Sequence, residues 1–171
     1  ALLAYAGYLH GYEYGYEALA DRAIRQFVML GLAESAAGIV HRHACDPTWL
    51  DDHISDLLNR FGNRLLADTI FRLGRDPVRK LNPSDRLVGA ANLALKTGSI
   101  PARLAWGIAA GLSFDPPGDP VAVGVQTGIT TKGIEPVLAE VTGISPGSDL
   151  GRAVLAAYGV LRQNRHALPP V

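Results

Sequence analysis

The sequence predicts an all-α fold. Apolar residues recur at three- and four-residue steps over much of the chain. Helix starts built from a capping residue followed by proline occur at Asp46-Pro47, Asn82-Pro83 and Asp119-Pro120. No segment alternates apolar and polar residues between hairpin turns.

The elements follow in order. Residues 1–9 form a short apolar helix, and Gly11 with the tyrosine-rich stretch 12–16 breaks it. A long helix is expected over residues 16–43, where Leu19, Ala23, Phe27, Leu30, Ala33, Ala37 and Val40 keep helical spacing. Asp46 caps the next helix, with Pro47 in its first position and Trp49, Leu50, Ile54, Leu57, Leu58 and Phe61 along it. Gly62-Asn63 is a break. A short helix is expected over 65–73, ending at Gly74, and Asp76-Pro77 then excludes regular helix. Asn82 is expected to cap a helix running over 86–97, with Asp85 in its first turn. A helix rich in small residues follows over 101–114. The turn-rich stretch 115–120 leads to a segment capped by Asp119 and reaching Lys132. Helices over 135–142 and 149–165 complete a domain of residues 1–165, and residues 166–171, with Pro169-Pro170, form a tail expected to fray.

Composition narrows the function classes. Sixteen basic and sixteen acidic residues balance, so no net field draws the chain to nucleic acid or a membrane surface. No uninterrupted apolar run has the length of a membrane span, and residues 1–9 lack the basic flank and cleavage pattern of a signal peptide. Cys45 is the single cysteine; it allows no internal disulfide and no thiolate zinc site, and it fits a reducing, cytoplasmic compartment. The chain opens without Met inside an apolar helical segment and is expected to be a fragment of something longer.

Charge is uneven along the chain. The window from Arg60 to Arg86 holds seven basic residues (Arg60, Arg64, Arg72, Arg75, Arg79, Lys80 and Arg86) against Asp68, Asp76 and Asp85. Arg72 and Arg75 lie one turn apart, and Gly74 with Pro77 bends the chain so that Arg79 and Lys80 can return toward them. Arginine's planar fork suits phosphate or carboxylate, so a cationic pocket on a bend is a candidate anion site. The same residues also read as ordinary surface charges: Arg72 can pair with Asp68 four residues earlier, Arg86 with Asp85, and Arg60 and Arg64 can face solvent.

Taken together, the run Arg60-Phe61-Gly62-Asn63, Leu66, Asp68, Arg72, Gly74-Arg75, Pro77, Arg79-Lys80-Leu81 and Asp85-Arg86-Leu87 resembles the C-terminal domain of the mannitol-1-phosphate 5-dehydrogenase branch of the polyol-specific long-chain dehydrogenase/reductase family. Every fixed position of that family's pattern (RF-x-N, L-x-D, R-x-x-R-x-P-x-RKL, DRL) is present at the right spacing. Ala4-Tyr5-Ala6-Gly7-Tyr8 with Gly11, then Glu34, then Gly107-Ile108-Ala109-Ala110 and Asp119-Pro120 extend the likeness over residues 1–160.

The resemblance implies an all-α domain of the 6-phosphogluconate dehydrogenase C-terminal-like type. It would close over an N-terminal Rossmann domain that binds NAD, with a sugar-phosphate substrate between them. The family's catalytic lysine, and the asparagine and histidine of its N-x-x-H element, precede the stretch resembling residues 1–7. This chain is therefore expected to hold no catalytic residue, no cofactor site and no metal, and to be inactive alone. The resemblance places Arg72 and Lys80 on substrate hydroxyls, and Arg75 and Arg79 on the phosphate, because a phosphate dianion withdrawn from water needs fixed cations. It assigns Asn63 and Asp68 to holding the bend, and Tyr5, Tyr8 and Tyr12 to packing.

The residues themselves offer no substitute for these groups. No G-x-G-x-x-G occurs, and Gly124-Val125-Gln126-Thr127-Gly128 follows no strand. His41 and His43, two apart on a helix, face different ways. The alternatives are the same domain of a mannitol 2-dehydrogenase or hexuronate reductase, or a non-enzymatic helical module binding phosphate or protein. A further expectation is an exposed apolar patch around Leu2, Leu3 and Tyr5 where the Rossmann domain would dock.

Overall fold

The computed structural model describes residues 1–170. Eleven α-helices run in the order α1 (Leu2–Leu9), α2 (Gly15–Ala20), α3 (Arg22–His43), α4 (Pro47–Phe61), α5 (Ile70–Gly74), α6 (Pro77–Lys80), α7 (Val88–Ala94), α8 (Ala102–Leu112), α9 (Pro120–Lys132), α10 (Ile134–Thr142) and α11 (Asp149–Gln163). Among the described residues there is no β-strand, only one antiparallel bridge joining Tyr14 to Thr69.

Two short apolar helices form the centre. Leu104 to Leu112 of α8 are buried on every side, as a helix without a polar face must be. Beside it α1 buries Leu2, Leu3, Tyr5, Ala6 and Leu9. Each large apolar side chain so placed contributes roughly 1.5–3 kcal/mol. Close approach depends on small residues: a methyl group on Gly7 would lie 2.6 Å from Ile70 Cδ1, and one on Gly38 would lie 2.7 Å from the Ala94 backbone nitrogen. The small-residue stretches are thus contact seams between α1 and α5 and between α3 and α7.

The apolar patch expected around Leu2, Leu3 and Tyr5 is absent. All three side chains are consumed by the domain's own core, with Tyr5 fully buried. Exposed apolar side chains are scattered instead, among them Trp49, Leu65, Leu66, Phe71 and Val78.

Helix boundaries were legible where a side chain caps its own helix. Asp46 accepts from the Thr48 amide (2.9 Å), and Asp119 accepts from the Val121 amide (3.0 Å), as expected. The long helix over 16–43 divides at Asp21, whose extended backbone (ψ 122°) ends α2 and whose carboxylate accepts from the Ala23 and Ile24 amides to start α3. The expected helix over 65–73 shortens to α5, because a 3₁₀ turn at Arg64–Leu66 ends on Ala67 in the left-handed region and Thr69 restarts the chain. Pro77 does not abolish helix; it opens the single turn α6. Asn82 spends its side chain on an Asx turn with Ser84, so the next helix starts at Val88.

By length and composition alone α3 is long and apolar enough to cross a membrane, although Arg25, Glu34 and other polar residues interrupt its apolar run. Its apolarity has another use: Ile24, Phe27, Val28, Gly31 and Gly38 are buried within the fold. The described part of the tail, residues 166–170, packs on the domain where fraying was expected. Ala167 and Leu168 pack on the core, and the Arg103 guanidinium donates to the Pro170 carbonyl (2.9 Å). Val171 lies outside the described residues.

Candidate functional site: a cationic bend between α5 and α6

The bend begins with α5. Thr69 caps it by accepting from the Arg72 amide (3.2 Å). Gly74 ends it against the Phe114 ring, where an added methyl would stand 2.8 Å from two ring carbons. Only a residue without a side chain lets the strand of chain carrying Arg75 pass so close. Asp76 then adopts the left-handed conformation (φ 58°), uncommon for a residue with a side chain. Two hydrogen bonds hold it there. Its amide donates to Asp119 Oδ2 (2.7 Å), and its own Oδ1 accepts from the Arg79 amide (3.2 Å), capping α6.

Lys80 closes the bend on itself. It is 8% exposed, the one lysine or arginine buried among the described residues. Its Nζ donates to the Arg75 carbonyl (2.6 Å), tying the end of α6 to the start of the bend. Among the described residues no carboxylate lies within ion-pair distance of it, and an ammonium has three donors to satisfy. Burial lowers its pKa from the ordinary 10.5. The neighbouring charge of Arg79, and those of Arg86 and Arg75, act in the same direction, while Asp76 opposes them.

The four residues singled out by sequence therefore stand in three different situations. Arg72, on α5, is largely exposed and paired with Asp68. Arg79 is also exposed and pairs with Asp76 at 3.4 Å. Arg75 is exposed and makes no ion pair among the described residues, but its carbonyl anchors Lys80. Lys80 alone is buried. Arg75, Arg79 and Lys80 share one electrostatic neighbourhood, and Arg86 joins it.

Two participants escaped sequence reasoning. Asp119 was readable as the cap of α9, but its grip on Asp76, 43 residues away, was not. Tyr5 was assigned to packing, and its ring does pack edge-on against Phe114 (5.3 Å between centroids). Its hydroxyl, however, is buried without a hydrogen-bond partner. Burial, then the charges of Asp119 and Asp76, push its pKa far above the ordinary tyrosine value.

A cleft of about 390 Å³ lies at the start of α1, lined mainly by apolar side chains such as Leu32, Phe61 and Leu73, together with Arg60 and Arg86. Arg86 thus faces both the cleft and the field around Lys80. Among the described residues, no three of His, Cys, Asp and Glu gather as a metal site would require.

The family model for the mannitol dehydrogenase C-terminal domain matches residues 1–161. The chain belongs to this family. Within it, the mannitol-1-phosphate 5-dehydrogenase of Thermoanaerobacter pseudethanolicus is 36% identical over 163 residues, covering 95% of this chain and 42% of the relative. The enzyme of the same name from Bacillus subtilis is 39% identical over 155 residues, covering 91% of this chain and 40% of the relative. That of Geobacillus thermodenitrificans is 37% identical over 166 residues, 96% of this chain and 43% of the relative. The chain spans about two fifths of the length of the curated relatives it matches. As a mannitol dehydrogenase C-terminal domain, it has the all-α architecture that its sequence predicted.

Proposed function

We propose that this chain is the substrate-capping domain of an NAD-dependent dehydrogenase that interconverts mannitol 1-phosphate and fructose 6-phosphate in the cytoplasm. The observation that carries the reading is Lys80: a buried ammonium without a direct ion pair among the described residues, fixed at a bend that also bears Arg75 and Arg79. Three cations without enough acid to neutralise them suit a substrate that brings its own negative charge. The names of the relatives supply the substrate class.

In this reading Lys80 and Arg72 donate to substrate hydroxyls, and Arg75 and Arg79 hold the phosphate. With no strand among the described residues, this chain has no βαβ unit to hold a dinucleotide. NAD, which takes up the hydride, belongs to a Rossmann domain preceding this one, as do the catalytic lysine and the N-x-x-H element. The part played by this chain is to bind, orient and exclude water, and alone it turns nothing over.

One observation favours a second substrate class. The pairing of Arg79 with Asp76 and of Arg72 with Asp68 leaves less free positive charge than a dianion prefers, as would suit a free polyol. Steady-state kinetics of the full-length protein with NAD decide between them. The proposal expects kcat/KM for mannitol 1-phosphate to exceed that for mannitol by a large factor, and Arg75→Ala to erase most of the difference. Equal rates on both substrates, unmoved by Arg75→Ala, would assign the domain to a free-polyol enzyme.

A further inference from the structure

We infer that Asp119 is a positioning residue for the cationic bend, holding Lys80 and Arg79 in place from a distant helix. The inference rests on the proposed function of that bend.

Asp119 is 5% exposed and works with both carboxylate oxygens. Oδ1 accepts from the Val121 amide (3.0 Å) and the Ala122 amide (3.3 Å), which caps α9. Oδ2 accepts from the Asp76 amide at 2.7 Å, a bond to another segment altogether. The first task needs one oxygen, which serine or asparagine supplies equally well. The second needs another acceptor on the same carbon. An ordinary helix cap would not require it.

What Asp119 holds is a residue in an unfavourable conformation. Asp76 sits at φ 58°, and such a geometry persists only where surrounding bonds impose it. Its conformation in turn aims its Oδ1 at the Arg79 amide and its carbonyl at the Lys80 amide (3.3 Å), so that it starts α6. The single turn of α6 is too short to be stable by itself. Lys80 reaches the Arg75 carbonyl only because α6 folds back over that bend. The chain of dependence runs from Asp119 to the Asp76 backbone, to α6, to Lys80 and Arg79. Supporting residues of this kind hold a site within the small tolerance that binding demands.

The test uses the full-length protein and separates clamp from cap. In Asp119→Ser the hydroxyl still caps α9 but leaves the Asp76 amide unmatched. Asp119→Asn, of equal size, replaces one acceptor by a donor. Ser148→Ala serves as control: it removes the cap of α11, where Ser148 accepts from the Gly151 amide (3.0 Å), away from the bend. The inference expects both Asp119 variants to raise KM for mannitol 1-phosphate about tenfold or more, the range for losing a charge-assisted hydrogen bond, with kcat changed much less. Ser148→Ala should leave KM within about twofold. Hydrogen exchange on the same proteins gives a readout independent of turnover: the amides of Asp76, Arg79, Lys80 and Leu81 should lose protection in the Asp119 variants and keep it in Ser148→Ala. If the wild type turns over neither mannitol 1-phosphate nor mannitol, the functional reading fails, and exchange still decides whether Asp119 holds the bend. Unchanged protection at these amides, or an unchanged KM beside lost protection, overturns the inference.

Discussion

Replacing Lys80 by methionine separates what the buried ammonium does for folding from what it does for binding. Methionine has nearly the same length and no charge. Folding loses the bond from Nζ to the Arg75 carbonyl, worth about 1.5–3 kcal/mol for a charged donor. It regains the cost of holding a desolvated ammonium beside Arg79, Arg86 and Arg75, which Asp76 only partly offsets; a buried charge without a direct ion pair carries a penalty on the order of a few kcal/mol. The second term is at least as large as the first, so Lys80→Met should leave the unfolding free energy unchanged or higher. Binding has no such compensation. A lost charged hydrogen bond to substrate lowers kcat/KM by roughly 10- to 100-fold. The pH profile is a separate signature. In the folded state Lys80 has a lowered pKa, so between that value and 10.5 the unfolded chain binds more protons, and wild-type stability rises with pH across the window. The burial cost is fully present below the lowered pKa and relieved above it. Lys80→Met should abolish that rise. Urea unfolding at several alkaline pH values, with steady-state kinetics, checks all three. A variant several kcal/mol less stable, with kcat/KM hardly changed, would refute the reasoning and make Lys80 a structural residue.

Other expectations follow from the same contacts. Glu34 on α3 accepts from the Arg103 amide (3.0 Å) and the Leu104 amide (2.9 Å), capping α8 in place of the incompetent Pro101. Glu34→Ala should lower stability by about 1–2 kcal/mol, seen as a fall in Tm of about 2–4 °C per kcal/mol. Gly74→Ala should destabilise by about 1–3 kcal/mol through overpacking on Phe114. Gly124→Ala, on α9 with nothing near the added methyl, should instead gain up to about 1 kcal/mol of helix propensity; thermal melts of the pair would settle it. The backbone amide of Ile24, helped by the Tyr12 hydroxyl and the Ala23 amide, lowers the pKa of Asp21 below 3.8. Its stabilising effect is present above that value and lost as pH falls through the lowered one, so Asp21→Asn should flatten the acid limb of an unfolding profile.

The sequence disclosed what is local and concealed what is not. Asp46, Asp119 and the apolar run of α8 announce their helices within a few residues, because caps and periodicity act over one turn. Asp21 was hidden inside a continuous apolar pattern, since a capping side chain interrupts a helix without disturbing its spacing. The error over Leu2, Leu3 and Tyr5 has the same origin. Their apolarity shows that they are covered but not by what: Leu2 packs on Gly31 of α3 and Gly107 of α8, Leu3 near Gly15 of α2, and Tyr5 on Gly111 of α8. The cationic bend was legible as a cluster with glycine and proline at its turn. The inequality within it was not: burial of Lys80 follows from the fold of α6 over the bend, which depends on a carboxylate 43 residues from its partner.

The ion pairs at Arg72 and Arg79 bear on how such a bend would receive a phosphate. Both arginines are more than half exposed, at 62% and 58%, and exposed pairs contribute only about 0–1 kcal/mol. The Arg79–Asp76 pair is exposed on both sides, so releasing Asp76 costs little beside the about 1.5–3 kcal/mol offered by each charged hydrogen bond to an incoming anion; Asp68, whose Oδ1 is buried, is costlier to leave unpaired. The acids then act as holders of the arginines, keeping long side chains ordered on the bend instead of spread through solvent. Asp76 is the less free of the two, because its carboxylate also caps α6 through the Arg79 amide. A phosphate drawing away the Arg79 guanidinium would leave that cap intact, since the amide and the guanidinium bind different oxygens of the carboxylate. Arg79 can thus turn toward substrate without loosening the turn that positions Lys80. Arg79→Ala should accordingly weaken mannitol 1-phosphate binding while leaving exchange protection at the Asp76, Arg79, Lys80 and Leu81 amides intact. Loss of that protection would show that the Arg79 side chain supports α6 rather than serving the ligand.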